Sequence, residues 1–365
     1  MTDSFLIPEP VPPKILARNT FSAFDLEVDS LLNIPRARSN FKVDGSGLSV
    51  AVLDTGLRVT HKCFAGRVKA VHNFSEDDNG DTANVMDRNG HGTNVTGIIC
   101  ADSNDERRGI APASNIIALK VLPARSFTTI FDALTWVKDH SEELNITVAN
   151  LSLGIPGLNY ADDASAKNEY PDLSELLDAL VKKRIAVIAA AGNSYFRFQQ
   201  EGMSVPAIFR QVISVGAVYD TSFGTRVYAD GATAFSTHGD QITPFSQRLS
   251  KETSPDCYTD IFSAGGAATS AGASDDDATS IQEGTSQAAP TIAGIVLLMQ
   301  EYYLRQKGVL PPVSLLQDML RATSTWIIDG DDEDDNVKNS NYKYPRVNAF
   351  QSLVALHRAI QLNLV

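Results

Sequence analysis

The run Thr291-Ile292-Ala293-Gly294-Ile295-Val296-Leu297-Leu298-Met299 constrains this chain more than any other stretch. It has no polar face and is too long for an ordinary strand, so it has to be a buried helix. The segment Gly284-Thr285-Ser286-Gln287-Ala288-Ala289-Pro290 leads into it, which puts the helix start at or beside Ser286. Pro290 is read as lying among the first helical N–H groups, which have no acceptor inside the helix. A hydroxyl at that end meets free backbone N–H groups and the positive end of the helix dipole, an arrangement that favours an anion forming on a substrate. Read alone, Ser286 is as readily a helix cap as a nucleophile. Residues upstream decide between the two.

A buried helix of this kind needs a large core, and the composition supplies one: 365 residues, 43% hydrophobic, 21% charged. The length fits one large domain, or one plus an appendage. A net charge of -13 and a pI near 4.9 argue against a nucleic-acid partner, because phosphate binding needs a basic face and the Lys and Arg residues are scattered. No apolar run is long enough to span a bilayer. The first ten residues, Met1 to Pro10, combine neither a basic start nor a continuous apolar stretch, so no secretory signal is expected and the expected location is the cytoplasm. Cys63, Cys100 and Cys257 are an odd number at wide spacings without a metal-ligand pattern, which predicts reduced, mostly buried thiols.

Residues 1–45 carry a proline cluster, a short helix expected around 22–32 and the turn Asp44-Gly45-Ser46-Gly47; they read as an N-terminal extension wrapped over the surface of a domain spanning 46–365. Leu48 to Leu53 is a β-branched, apolar strand ending at Asp54-Thr55-Gly56, and a carboxylate at the carboxyl end of a buried parallel strand is where open α/β sheets place their chemistry. Next comes Asn89-Gly90-His91-Gly92-Thr93-Asn94-Val95. Gly92, Thr93, Val95, Gly97 and Ile98 form a small-residue stripe suited to close helix packing, with His91 at the helix start. There the helix dipole should push its ring toward the neutral form that a general base needs, and the flanking glycines should leave the ring unobstructed. The other five histidines have no comparable setting. Strands at 116–122, 147–151, 185–191 and 211–218 alternate with helices near 131–137 and 173–183, which predicts an α/β fold: a doubly wound, mainly parallel sheet with helices on both faces.

Asp54, His91, Asn193 and Ser286 all fall at strand ends or helix starts compatible with one rim of such a sheet. With the segments Val52 to Gly56, Asn89 to Val95, Asn150-Leu151-Ser152-Leu153-Gly154, Ala190-Ala191-Gly192-Asn193 and Glu283 to Pro290, the chain resembles the subtilisin-like serine proteases. Five segments occur in that family's order, over roughly residues 46–350. The order Asp, His, Ser separates them from serine α/β-hydrolases and from the chymotrypsin type. The resemblance implies an endopeptidase working through an acyl-enzyme: Ser286 as nucleophile, His91 as general base and then acid, Asp54 orienting His91, Asn193 and the Ser286 N–H as oxyanion donors, and Ser152, Leu153 and Gly154 pairing with substrate backbone as an added strand. It implies protein or peptide substrates and no cofactor for the chemistry. A peptide ligase or macrocyclase using the same triad, and a catalytically silent pseudoprotease, are the alternatives. The oligomeric state is left open.

The chain departs from the family pattern at Asn94, where a second histidine is usual, and at Gln287, where methionine is usual; tuning is expected, and not loss. The shortness of the segment before the first strand makes the chain resemble an intracellular subtilisin, in which a short N-terminal segment with a Leu-Ile-Pro core blocks the active site. Leu6-Ile7-Pro8 is similar to it, so residues 1–20 are expected to be an inhibitory extension. Three acidic loops, 76–81, 275–277 and 329–335, are candidates for structural calcium, without EF-hand spacing.

Overall fold

The structure, a computed structural model, describes residues 31–102, 108–124 and 126–365. The inhibitory segment expected at residues 1–20 and most of the helix expected at 22–32 lie outside them. Helices are α1 Ile34–Phe41, α2 His91–Cys100, α3 Thr128–His140, α4 Asp163–Glu169, α5 Pro171–Lys182, α6 Tyr195–Phe198, α7 Thr285–Lys307, α8 Val313–Ala322 and α9 Ala349–Gln361. The strands are β1 Ser49–Asp54, β2 Val68–Asn73, β3 Asn115–Lys120, β4 Ile146–Leu151, β5 Ala186–Ala190, β6 Val212–Val218, β7 Arg226–Val227, β8 Thr233–Ala234, β9 Ile261–Ala264, β10 Ala268–Ala271, β11 Thr279–Gln282, β12 Thr325–Ile328 and β13 Lys343–Arg346.

Nine strands form one sheet in the order β12-β13-β9-β6-β5-β4-β1-β3-β2. Every neighbour pairs parallel except β12 with β13. Alternation along β1 explains why the strand is apolar throughout: Val50 and Val52 enter the layer that holds α7, α8 and α9, whereas Ala51 and Leu53 enter the layer of α3 and α5. A strand covered on both faces has no side to leave polar. From β1 the chain runs first to β2 at the sheet edge, returns to β3 between β2 and β1, then crosses to β4, β5 and β6 on the other side. The point where direction reverses lies between β1 and β4, and in open α/β sheets that is where a crevice opens beyond the carboxyl ends of the strands.

The small-residue stripe of α2 does what its pattern suggests. A Cβ at Gly92 would stand 2.2 Å from the Gly56 carbonyl oxygen, and one at Gly97 would stand 2.2 Å from Ser270 Oγ. The described part of the N-terminal extension is more deeply embedded than a surface wrap: Leu32, Ile34, Ala37 and Val43 join the core around α7. Arg305 of α7 donates to the carbonyls of Phe41 and Lys42, both at 2.7 Å. Helix α7 is buried on all sides through Tyr303.

Candidate active site

Asp54 is the last residue of β1 and His91 the first of α2. His91 Nδ1 and Asp54 Oδ1 lie 2.8 Å apart, with side chains 2% and 1% exposed. A nitrogen facing a carboxylate carries the proton, so Nε2 is the ring nitrogen left to take one. Asp54 Oδ1 also accepts the Thr55 backbone N–H at 2.7 Å. Thr55 Oγ1 donates to Asp87 Oδ1 at 2.9 Å and accepts the Gly92 N–H at 2.9 Å. Asp87 in turn accepts N–H groups from Asn89, Gly90 and Thr93. Thr55 and Asp87 therefore anchor the start of α2 against the end of β1. Sequence reading passed over both; the available signal was an acidic residue just ahead of a glycine-flanked helix start.

Two expectations for His91 need correction. The ring is buried and not open, despite its glycine neighbours. Burial opposes its charge, but the field of Asp54, the hydrogen bond donated to Asp54 and the field of Asp87 together outweigh burial, so its pKa stands above the ordinary histidine value. The helix dipole, expected to push the ring toward neutrality, offers only about half a charge, whereas Asp54 brings a full carboxylate within hydrogen-bond distance.

Ser286 is the second residue of α7, one past Thr285, and Gly284 occupies the cap position. Ser286 is therefore not the helix cap. Pro290 lies deeper than the first turn, at the sixth helical position, which corrects the reading of its role. Its missing N–H deprives the Ser286 carbonyl of a helical donor. Ser152, just past β4, replaces it: Ser152 Oγ donates to the Ser286 carbonyl at 2.7 Å and is itself reached by Asn150 Nδ2 at 3.0 Å. The Ser286 hydroxyl donates to the Ser152 carbonyl at 3.0 Å. Among the described residues no hydrogen bond joins Ser286 to His91. Leu153 turns into the core, and the chain leaves the β4–β5 ladder at Leu151.

Asn193 follows β5. Its Oδ1 accepts the Thr285 N–H at 2.9 Å and the Thr285 hydroxyl at 2.7 Å, and Thr285 Oγ1 also accepts the Gly192 N–H at 3.2 Å. With the oxygen spoken for, Nδ2 faces the other way. Nδ2 and the Ser286 backbone nitrogen both lie beside Gly284: a Cβ there would stand 3.0 Å from the first and 3.5 Å from the second. Gly284 has a φ of 151°, and a side chain there would crowd both nitrogens. Thr285 orients Asn193, and sequence reading missed it because a threonine beside a serine carries no signal of its own.

The three acidic loops differ. Asp78 is tied to Arg88 and Lys120, which hold its carboxyl down to about 2. Asp276 and Asp277 pair with Arg58 and Lys62. Asp331, Asp332 and Glu333 instead bring carboxylate oxygens within 4.8 Å of one another, hard donors of the kind calcium takes. His61, His140, His238 and His357 each hold a hydrogen-bond partner, and His72 packs against Phe74 and Trp136. All three cysteines are buried and none forms a disulfide, as their spacing suggested.

The sequence pattern of peptidase S8, the subtilase family, matches residues 45–348. The chain belongs to the subtilase family. It is 33% identical over 178 residues to the major intracellular serine protease of Bacillus subtilis, covering 48% of this chain and 52% of the relative. It is 32% identical over 176 residues to an intracellular serine protease of Paenibacillus polymyxa, covering 48% and 50%. The serine protease AprX of Bacillus subtilis is 29% identical over 337 residues, covering 85% of this subtilase and 70% of the relative. The chain thus spans about half the length of the first two relatives. Among the described residues of this subtilase, no helix is long and apolar enough to cross a membrane.

Proposed function

We propose that this subtilase is a serine endopeptidase, with Asp54, His91 and Ser286 as its catalytic triad and Asn193 with the Ser286 N–H as its oxyanion hole. The observation that carries the reading is that Asn193 Nδ2 and the Ser286 nitrogen both lie beside Gly284, next to a serine whose partner helix starts with an Asp54-paired histidine. Ser286 Oγ leaves the Ser152 carbonyl, gives its proton to His91 Nε2 and attacks the scissile carbonyl carbon. The carbonyl oxygen takes the negative charge beside Asn193 Nδ2 and the Ser286 N–H, preorganised donors that receive it without reorganisation. His91 then delivers the proton to the leaving amine, and water, deprotonated by the same ring, releases the acyl group. Asp54 steadies the imidazolium formed in between.

Substrate backbone joins the edge at Ser152, Leu153 and Gly154 as an extra strand. Main-chain pairing carries little side-chain information, so the preference is broad and set by pockets. The substrates are proteins or peptides, and the peptidase domain spans 46–365. The site of action is the cytoplasm, in keeping with the names of two relatives and with three reduced thiols. A cation takes no step in this chemistry; structural calcium has its donor set at Asp331, Asp332 and Glu333.

The test is turnover of a mixed peptide library by the full chain beside Ser286→Ala, with a serine-directed phosphonate probe in parallel. Labelling together with cleavage, both lost in Ser286→Ala, is the expected result. Labelling with joined products would establish a ligase. No labelling and no cleavage, from the full chain and from a form lacking residues 1–20, would leave a binding protein.

A further inference from the structure

The structure divides the proposed catalytic residues into two groups: Asp54 with His91, and Ser286 with Ser152 and Asn193. No hydrogen bond joins the groups directly among the described residues, so the separation of nucleophile and base depends on how α7 sits against α2. The side chains that span this gap are Gln287, directly after Ser286, and Asn94, three residues after His91. Gln287 Nε2 donates to Asn94 Oδ1 at 3.4 Å and to Gln282 Oε1 at 3.3 Å. Gln282 Nε2 donates to the carbonyl of Gly90, the residue just before His91, at 3.1 Å. Asn94 Nδ2 reaches Ser280 Oγ at 2.9 Å and the Ser280 carbonyl at 3.1 Å.

The orientation of each amide follows from its neighbours. Asn94 spends its N–H groups on Ser280, so its oxygen faces α7, and Gln287 must answer with its nitrogen. The Gln287 oxygen is then turned toward Gly284, 3.2 Å from where a Cβ there would lie, beside Asn193 Nδ2. Asn94 and Gln287 are 0% and 1% exposed. A polar network in a buried contact favours one arrangement of the two helices, because a slide leaves its donors and acceptors unpaired. An apolar side chain at 287 would fill the space without specifying the register.

We propose that Gln287 is a positioning residue, which through Asn94 and Gln282 sets the helix carrying Ser286 against the helix start carrying His91. This rests on the triad reading above. The test compares Gln287→Met, Asn94→Ala and their double variant in the full chain, by kcat and KM on one peptide and by melting temperature. Gln287→Met should fold with an unchanged melting temperature to within a few degrees and lose about tenfold in kcat at constant KM, less than the roughly 100-fold attached to a 1 Å misplacement. Adding Asn94→Ala should cost little more, because the two act as one unit. An unchanged kcat, a change confined to KM, or additive losses would overturn the proposal. A readout independent of turnover uses the ring resonances of His91 in the Ser286→Ala background: Gln287→Met should shift or broaden them, and unchanged resonances would overturn it as well. If wild type and Ser286→Ala are equally inactive, the peptidase reading fails, and the resonances alone decide whether Gln287 positions the start of α2.

Discussion

Ser152 and Ser286 exchange hydrogen bonds, each hydroxyl donating to the other's carbonyl, at 2.7 Å from Ser152 and 3.0 Å from Ser286. The pairing exists because Pro290 has no N–H to offer the Ser286 carbonyl. It welds the end of β4 to the first turn of α7, and it holds the proposed nucleophile on a backbone oxygen until substrate arrives. One proline thus shapes both the packing and the resting position of Ser286.

Removing the Ser152 hydroxyl leaves the buried Ser286 carbonyl without a donor, which should cost about 1–3 kcal/mol of stability. Chemical denaturation of Ser152→Ala measures it. In a Pro290→Ala background the residue at 290 regains an N–H for that carbonyl, so the cost of Ser152→Ala should shrink. Additive costs in this cycle would show that Pro290 does not create the need for Ser152.

Gly92 sits at a tight contact between α2 and the chain just past β1. A methyl group there would stand 2.2 Å from the Gly56 carbonyl oxygen and 3.1 Å from Asp54 Oδ1, so Gly92→Ala has to displace the helix start or the carboxylate. Overpacking of this kind costs about 1–3 kcal/mol. Turnover should fall much further than stability, because His91 moves with the helix. Parallel melting curves and peptide assays on Gly92→Ala check the difference, and equal losses in both would count against it.

Burial lowers the His91 pKa and Asp54, aided by Asp87, raises it more, leaving it above the ordinary value near 6.5. Because the base must be neutral, kcat/KM should climb with pH through this raised value and not through the ordinary one. The sign for stability is opposite. A pKa raised by folding stabilises the folded state fully below the unfolded value, and that contribution is lost as pH rises through the folded value. Asp54→Asn leaves burial unopposed by its main counterweight, so the ring pKa should drop. Titration of the His91 ring resonances in Ser286→Ala and in the Asp54→Asn double variant reads this directly; a pKa that does not fall would sink the account.

Asn193→Ala removes one of the two proposed oxyanion donors beside Gly284. The expected loss is about 2.7–4 kcal/mol of transition-state stabilisation, a range known from removing such a donor in subtilisin itself, appearing in kcat with KM little changed. Thr285→Val should act in the same direction and less, since it frees Asn193 Oδ1 from one of its two donors and keeps the backbone one. Steady-state kinetics on both variants give the ranking, and a Thr285→Val enzyme worse than Asn193→Ala would contradict it.

Local pattern was enough to read most of the scaffold. Apolar runs of strand length, a helix with no polar face and short segments ending in Asp54, His91, Asn193 and Ser286 are properties of neighbouring residues, and the parallel sheet and its rim follow from them. What neighbours cannot state is who faces whom across the fold. The depth of Pro290 in α7, and hence the need for Ser152, depends on where the helix begins. The raised pKa of His91 depends on carboxylates 37 and four residues away in the chain, brought beside the ring by strand and turn. Thr55, Thr285, Asn94 and Gln287 are ordinary polar residues until packing removes water and leaves each with a few fixed partners. Periodicity and chain stiffness act over a few residues and are legible in order; hydrogen-bond choice and electrostatics act through space, so only the tertiary structure decided them.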